Sequence, residues 1–165
     1  MKRAPRLTAV LIVLAVLAVL ALSLAAPRVR AAELSTGQTV YVPCYSHIYH
    51  GIKGVPINLT ITLSVRNADP SRALTLESVD YYDTSGKLLT RFLGKPLRLG
   101  PLATVEYLVG EADQKGGSGA KFLVRWSAGE PVEPLCVEAV MIGSSGQQGI
   151  SFSSPGHPLN EPPVR

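Results

Sequence analysis

The string Tyr45-Ser46-His47-Ile48-Tyr49-His50 carries the densest chemistry in this chain of 165 residues. Two imidazoles and two phenols in six positions could bind a metal or stack on a ligand. A neutral imidazole nitrogen suits copper or zinc. The spacing argues against a metal. Positions three apart on an extended strand point to opposite faces, so His47 and His50 converge only through a turn. Gly51 and Gly54 allow such a turn, but a structural metal site takes four ligands and the third and fourth are missing. The plainer reading is a strand end where His and Tyr hydrogen bonds hold a loop. Tyr45, His47, Tyr49 and His50 are therefore candidates for ligand or partner contact. A copper or zinc pair of His47 and His50, with Cys44 as the nearest further donor, is the alternative.

Gln147 and Gln148 follow the run Gly143-Ser144-Ser145-Gly146. Their amides pair a donor with an acceptor and could bind a sugar or a peptide backbone, or satisfy the loop's own backbone. The glycines make no phosphate loop, because no Gly-Lys-Ser/Thr follows. Asp80 and Asp83 flank two tyrosines, and Asp83 is better explained as a turn former than as half of an acid-base pair. Asn58-Leu59-Thr60 fits a glycosylation acceptor but sits inside a strand pattern. No Gly-x-Ser-x-Gly elbow is present. The residues predict no catalytic constellation and no cofactor.

Cys44 and Cys136 are the two cysteines. In an exported chain they invite a disulfide. Closing so long a loop would stabilise by about 4 kcal/mol in the chain-entropy model. The alternative is that each fills a core position as a small hydrophobe.

The elements that must position these groups read as β throughout. Ile57, Leu59, Ile61, Leu63 and Val65 alternate with Asn58, Thr60, Thr62, Ser64 and Arg66. A period of two means one face inward and one face wet. Phe122, Val124 and Trp126 alternate with Lys121, Leu123 and Arg125 in the same way. Thr39 to Cys44 and Leu135 to Ile142 are further strands rich in Val and Ile. Tyr82 to Lys87 predicts a hairpin connection with Gly86 at positive φ, and Leu88 to Phe92 the return strand. Leu102 to Val109 fits a strand or a helix face; its shortness, its Gly-Pro opening and its Thr, Val and Tyr content favour a strand. Gly143 to Gly149 joins the last two strands. Seven or eight short antiparallel strands with regular turn signals predict an all-β fold, an immunoglobulin-like two-sheet sandwich.

The start of the chain concerns location. Lys2, Arg3 and Arg6 precede an apolar run from Leu7 to Leu22, and small residues follow up to Ala31-Ala32. This is the layout of an export signal, and the run is about long enough to span a membrane as a helix. Residues 1–31 are thus expected to be a cleaved signal peptide or a retained inner-membrane anchor. Either places the remainder in the periplasm or facing it. The whole chain carries a net charge of +4, but beyond residue 31 eleven bases face twelve acids, a net of −1. The basicity belongs to targeting and argues nothing for nucleic acid. Residues 32–37 are expected to be a linker and 38–152 the sandwich. Residues 153–165, with Pro155, Pro158, Pro162 and Pro163 and little apolar content, are expected to be a disordered tail.

Two resemblances add to this. Tyr82-Asp83-Thr84-Ser85-Gly86-Lys87 followed by Leu99-Gly100-Pro101 resembles the middle of many secreted bacterial immunoglobulin-like sandwiches, which speaks to fold alone. More specifically, the chain resembles exported bacterial proteins of domain-of-unknown-function family 3124. The residues carrying this are Tyr41-Val42-Pro43, Tyr45 to Gly51, Asn58-Leu59-Thr60, Val79 to Asp83, Glu138 to Gly143, and Gly146 to Phe152. The resemblance implies export and family, and no activity or catalytic residue. The expectation for function is a non-enzymatic binding or assembly module of the cell envelope with an envelope protein as partner. Periplasmic metal handling is the alternative.

Overall fold

A computed structural model describes residues 33–159, and no helix occurs among them. The predicted N-terminal hydrophobic helix and leader of residues 1–31 lie outside the described residues, as does the tail beyond Leu159. The first half of the chain forms β1 (Ser35–Pro43), β2 (His47–His50), β3 (Val55–Asn58), β4 (Thr60–Arg66), β5 (Leu74–Tyr82) and β6 (Leu88–Arg91). The second half forms β7 (Leu97–Leu99), β8 (Thr104–Val109), β9 (Lys121–Val132), β10 (Cys136–Ser145), β11 (Gln148–Pro155) and β12 (His157–Pro158). Twelve strands are thus present among the described residues where turn spacing predicted seven or eight. The additions are short pieces whose pairing depends on backbone rather than on side-chain pattern.

The strands make three antiparallel sheets. The six-stranded one runs β12-β1-β9-β5-β6, with β7 also on β5; the four-stranded one runs β11-β10-β4-β8; β2 and β3 form a hairpin of their own. The inward faces of the two large sheets share one hydrophobic core. Val40, Val42, Val79, Tyr81, Phe122, Val124 and Trp126 enter it from the first sheet, and Ile61, Leu63, Val65, Val137, Ala139 and Met141 from the second. The alternation from Ile57 to Val65 therefore buries as predicted, each odd position being at most 5 % exposed. Burial of a side chain of this size is worth about 1.5–3 kcal/mol, which makes the alternation the main determinant of the fold. The run is nonetheless two strands. At Leu59 the amide donates to Ser46 O at 2.9 Å instead of to a sheet neighbour, and the chain turns from hairpin into sheet.

Two boundaries move relative to the sequence reading. β1 begins at Ser35, inside the expected linker. At the other end the folded unit does not stop at Phe152: β11 runs on to Pro155, and β12 pairs with β1 through Val40–Pro158 and Tyr41–His157. Gly156 makes this crossing from one sheet to the other, its amide donating to Val137 O at 2.7 Å. A Cβ there would lie 2.7 Å from Val40 Cγ1. A segment poor in apolar side chains is held by main-chain pairing, which composition does not report.

The two ends of the large sheets differ. At one end the loop after β4 is tied by two buried polar residues, Asn67 and Asp69, 2 % and 1 % exposed. Asn67 Nδ2 donates to Arg72 O and Gly100 O, both at 2.8 Å, and its Oδ1 accepts from Asp69 N at 3.0 Å. Asp69 accepts from Ser71 N, Arg72 N and, at 3.3 Å, Glu133 N. Three loops are joined there. The opposite end carries the β5–β6 turn, where Gly86 adopts φ 87° and Asp83 Oδ1 accepts from Ser85 N and Lys87 N at 2.9 and 2.8 Å. The Asp83 turn is as predicted.

Candidate functional site

The tyrosine–histidine string leaves the end of β1 and becomes the outgoing strand of the β2–β3 hairpin. Its anchor is Ser46, fully buried. Ser46 N donates to Gly117 O at 3.0 Å, Ser46 Oγ accepts from Gly117 N at 2.8 Å, and Ser46 O accepts from Leu59 N. One serine thereby fixes both legs of the hairpin base to the loop before β9. A hydroxyl suits this place because it donates and accepts at once. Tyr45, beside it, stacks edge-on against Phe152 with ring centroids 5.8 Å apart.

The hairpin pairs His47 with Asn58, Ile48 with Ile57, Tyr49 with Pro56 and His50 with Val55. Pleating puts Ile48 and Ile57 on the face toward the core, while His47 and Tyr49 share the other face. His47 Nε2 and Tyr49 OH are hydrogen-bonded at 3.0 Å and their rings meet edge to face. His47 Nδ1 is buried without a hydrogen-bond partner. His50, an odd number of positions from His47, falls on the opposite face and is exposed. The two imidazoles are not brought together. Among the described residues no group of three or more His, Cys, Asp or Glu gathers in metal-binding geometry.

The tip of the hairpin turns through Gly51 and Gly54, at φ 69° and 60°, with Gly54 N bonded to Gly51 O at 3.1 Å. Between them Ile52 is 108 % exposed, and Tyr49 and Val55 are 60 % and 49 % exposed. Three large apolar side chains thus stand in solvent on one short projection. The sequence reading singled out Tyr49 and missed Ile52 and Val55. The available signal was an isoleucine inside a glycine-bounded turn, a place where polar residues are usual.

Gln147 and Gln148 lie at the same end. β10 pairs with β4 up to Ile142–Thr60, then continues beside β3, so closely that a Cβ on Gly143 would lie 2.5 Å from Asn58 O. The strands run through the glycine-rich stretch expected to be a connection, and only Gly146-Gln147 form the turn between Ser145 and Gln148. Both glutamines are exposed there. The two hairpins therefore project together from one end. An open depression of about 490 Å³ lined by Phe92 to Leu97 lies elsewhere, along the β6–β7 edge.

The cysteines form no disulfide: both are free, Cys44 buried and Cys136 exposed. Cys44 sits under the hairpin base, its amide bonded to Ala120 O at 2.9 Å. Cys136 opens β10 opposite Arg66, at the other end of β4, on the outward side of the inward-facing Val137. Six residues of β4 separate the two levels, roughly 20 Å of extended chain, against the 4.4–6.8 Å between Cα atoms that a disulfide spans. Burial pushes the Cys44 thiol up to about 12, with Lys121 pulling weakly the other way. A neutral, enclosed thiol is a core atom and not a nucleophile.

Residues 37–159 match the family model DUF3124, described as a protein of unknown function. None of the curated proteins and none of the solved structures searched matches the chain.

Proposed function

From the premise that the chain belongs to the DUF3124 family, whose description assigns no activity, we propose that this is a non-enzymatic binding or assembly module of the bacterial cell envelope. The export leader read in residues 1–31 would deliver it to the periplasm or hold it on the inner membrane facing the periplasm. The two large sheets packed over one core fit an immunoglobulin-like sandwich, a scaffold on which contacts are made by loops and hairpins at one end.

The observation that carries the proposal is the projecting hairpin. A monomer has no reason of stability to set Tyr49, Ile52 and Val55 in water while the rest of the hairpin is pinned by Ser46. Apolar and aromatic side chains on a rigid support are what protein contacts use as anchors. The exposed amides of Gln147 and Gln148 stand on the neighbouring hairpin as a polar rim.

Site-specific photo-crosslinking from position 52 in cells, compared with position 95 on the β6–β7 edge, tests the reading. A discrete adduct with an envelope protein at position 52 and none at position 95 supports it. Absence of any adduct at position 52 refutes it. Stoichiometric copper or zinc in the purified protein, lost in both His47→Ala and His50→Ala, would replace it by the metal-handling alternative.

A further inference from the structure

The outer face of the six-stranded sheet holds a charge arrangement that the hairpin reading does not use. Register sets Asp80 of β5 between Leu123 of β9 and Arg91 of β6. The inward positions on either side of it are Val79 and Tyr81. A carboxylate on an outward sheet position is ordinarily wet, yet Asp80 is 6 % exposed. Arg125 donates to its Oδ2 at 3.2 Å and reaches Ser78 Oγ at 3.3 Å. Arg91 Nε stands 3.9 Å from Oδ1, beyond hydrogen-bond length, and Oδ1 accepts no hydrogen bond.

One buried carboxylate therefore faces two guanidiniums, and one positive charge is left over. The surroundings do not cancel it. Lys121 is committed to the Asp83 carbonyl. Glu77 is held by Ser127 Oγ, in the row where Thr75 pairs with Arg98. With Asp83, whose carboxyl Lys121 also stabilises, Arg91, Arg98, Lys121 and Arg125 face Glu77, Asp80 and Asp83, an excess of one positive charge in a chain whose residues beyond 31 carry a net negative charge. The side chains of Arg91 and Arg125 are 74 % and 46 % exposed, so both guanidiniums reach solvent.

We infer that Arg91 and Arg125 form a subsite for an oxyanion, a carboxylate or a phosphate group, with Asp80 as the positioning residue beneath them. Both guanidiniums approach the same carboxylate, Asp80, and a planar guanidinium fork offers paired N–H donors of the kind that oxyanions accept. Asp80 offsets the mutual repulsion that would otherwise splay the two arginines apart. The subsite lies on a sheet face and does not depend on the hairpin proposal.

The test is NMR of the arginine Nε–H and Leu123 backbone N–H resonances in the full-length protein, titrated separately with inorganic phosphate and with acetate. The expected result is a saturating shift at Arg91, Arg125 and Leu123 in at least one titration, with Arg66 and Arg72 unmoved. The tighter anion identifies the chemistry of the natural ligand. The Arg91→Gln variant, altered at a mostly exposed side chain, should weaken the Leu123 response at least tenfold. Linear shifts without saturation in both titrations overturn the subsite. So do equal shifts at Arg66, or a Leu123 response unchanged in Arg91→Gln.

Discussion

The two ends of the large antiparallel sheets solve opposite problems with similar residues. At the Asn67 end, polar side chains are taken out of water and every main-chain group they meet is used: the loops before β5, before β8 and before β10 are joined through one amide and one carboxylate. At the hairpin end, the same kind of satisfied polar residue, Ser46, is placed only at the base. Beyond it the chain carries apolar groups outward. Buried polar groups that are fully bonded rigidify and specify a structure. Exposed apolar groups contribute nothing to it. The first end is a structural closure, with the exposed Leu102 bonded through its amide to Asp69 O; the second is a structural closure that also carries the exposed Tyr49, Ile52 and Val55, which the proposed function reads as a contact surface.

Substitution should separate the two. Asn67→Ala is expected to have the largest effect. It removes two short bonds to carbonyls and the acceptor of Asp69 N, all at a buried place. Leaving such groups unsatisfied costs about 3 kcal/mol, seen as a lower urea midpoint with unchanged slope. Ser46→Ala should destabilise by about 1–2 kcal/mol, because the backbone bonds of Ser46 survive and only Oγ is lost. Its mark is local: hydrogen exchange at Leu59 N–H should speed up more than at Val124 N–H in the sheet centre. If Ser46→Ala loosened both amides equally, the hairpin base would be part of the global folding unit and the contrast between the ends would fail.

Much of the frame was legible in the sequence. The period-two burial of β4 and β9 and the Asp83–Gly86 turn follow from residue type and spacing alone. What escaped did so for physical reasons. The break at Leu59 is silent because the inward alternation continues through it; only the destination of one amide changes. The pairing of β12 is silent because main-chain bonds carry it, helped by a glycine where two sheets meet. The disulfide failed because two cysteines in strand-like strings can lie at opposite ends and on opposite faces, and neither property is local. The closure at Asn67 and Asp69 joins residues up to Glu133, so no window of sequence contains it. Of the site, the tyrosine–histidine string was legible as unusual, whereas the role of Ser46 as its clamp was not.

Acid titration sharpens the comparison on the closed side. Backbone donation from Ser71, then from Arg72 and Glu133, holds the Asp69 carboxyl down at about 2, against an ordinary value of 3.8. Because the folded value is the lower one, Asp69 stabilises the native state above pH 3.8. That contribution is lost as pH falls from there through about 2. Urea midpoints measured across this window should fall with pH, and the fall should be shallower in Asp69→Asn. An identical slope in that variant would mean that other carboxylates, Asp83 among them, carry the whole acid response.

The smallest expected effect is the most informative about the hairpin. Ile52 has no burial to lose, so Ile52→Ser should change stability by less than about 0.5 kcal/mol, within the range of ordinary surface substitutions. Gly51 and Gly54 supply the positive φ angles of the turn, which leaves the side chain between them free of any conformational task. A loss of stability well above that range would mean that Ile52 packs in the folded monomer and that the apolar tip is a misplaced piece of core. A neutral result leaves the isoleucine without a role in folding. On the proposed function its exposure serves a contact outside the molecule, and Ile52→Ser should then weaken an adduct from a crosslinker at the neighbouring exposed position 53 while leaving the urea midpoint where it was.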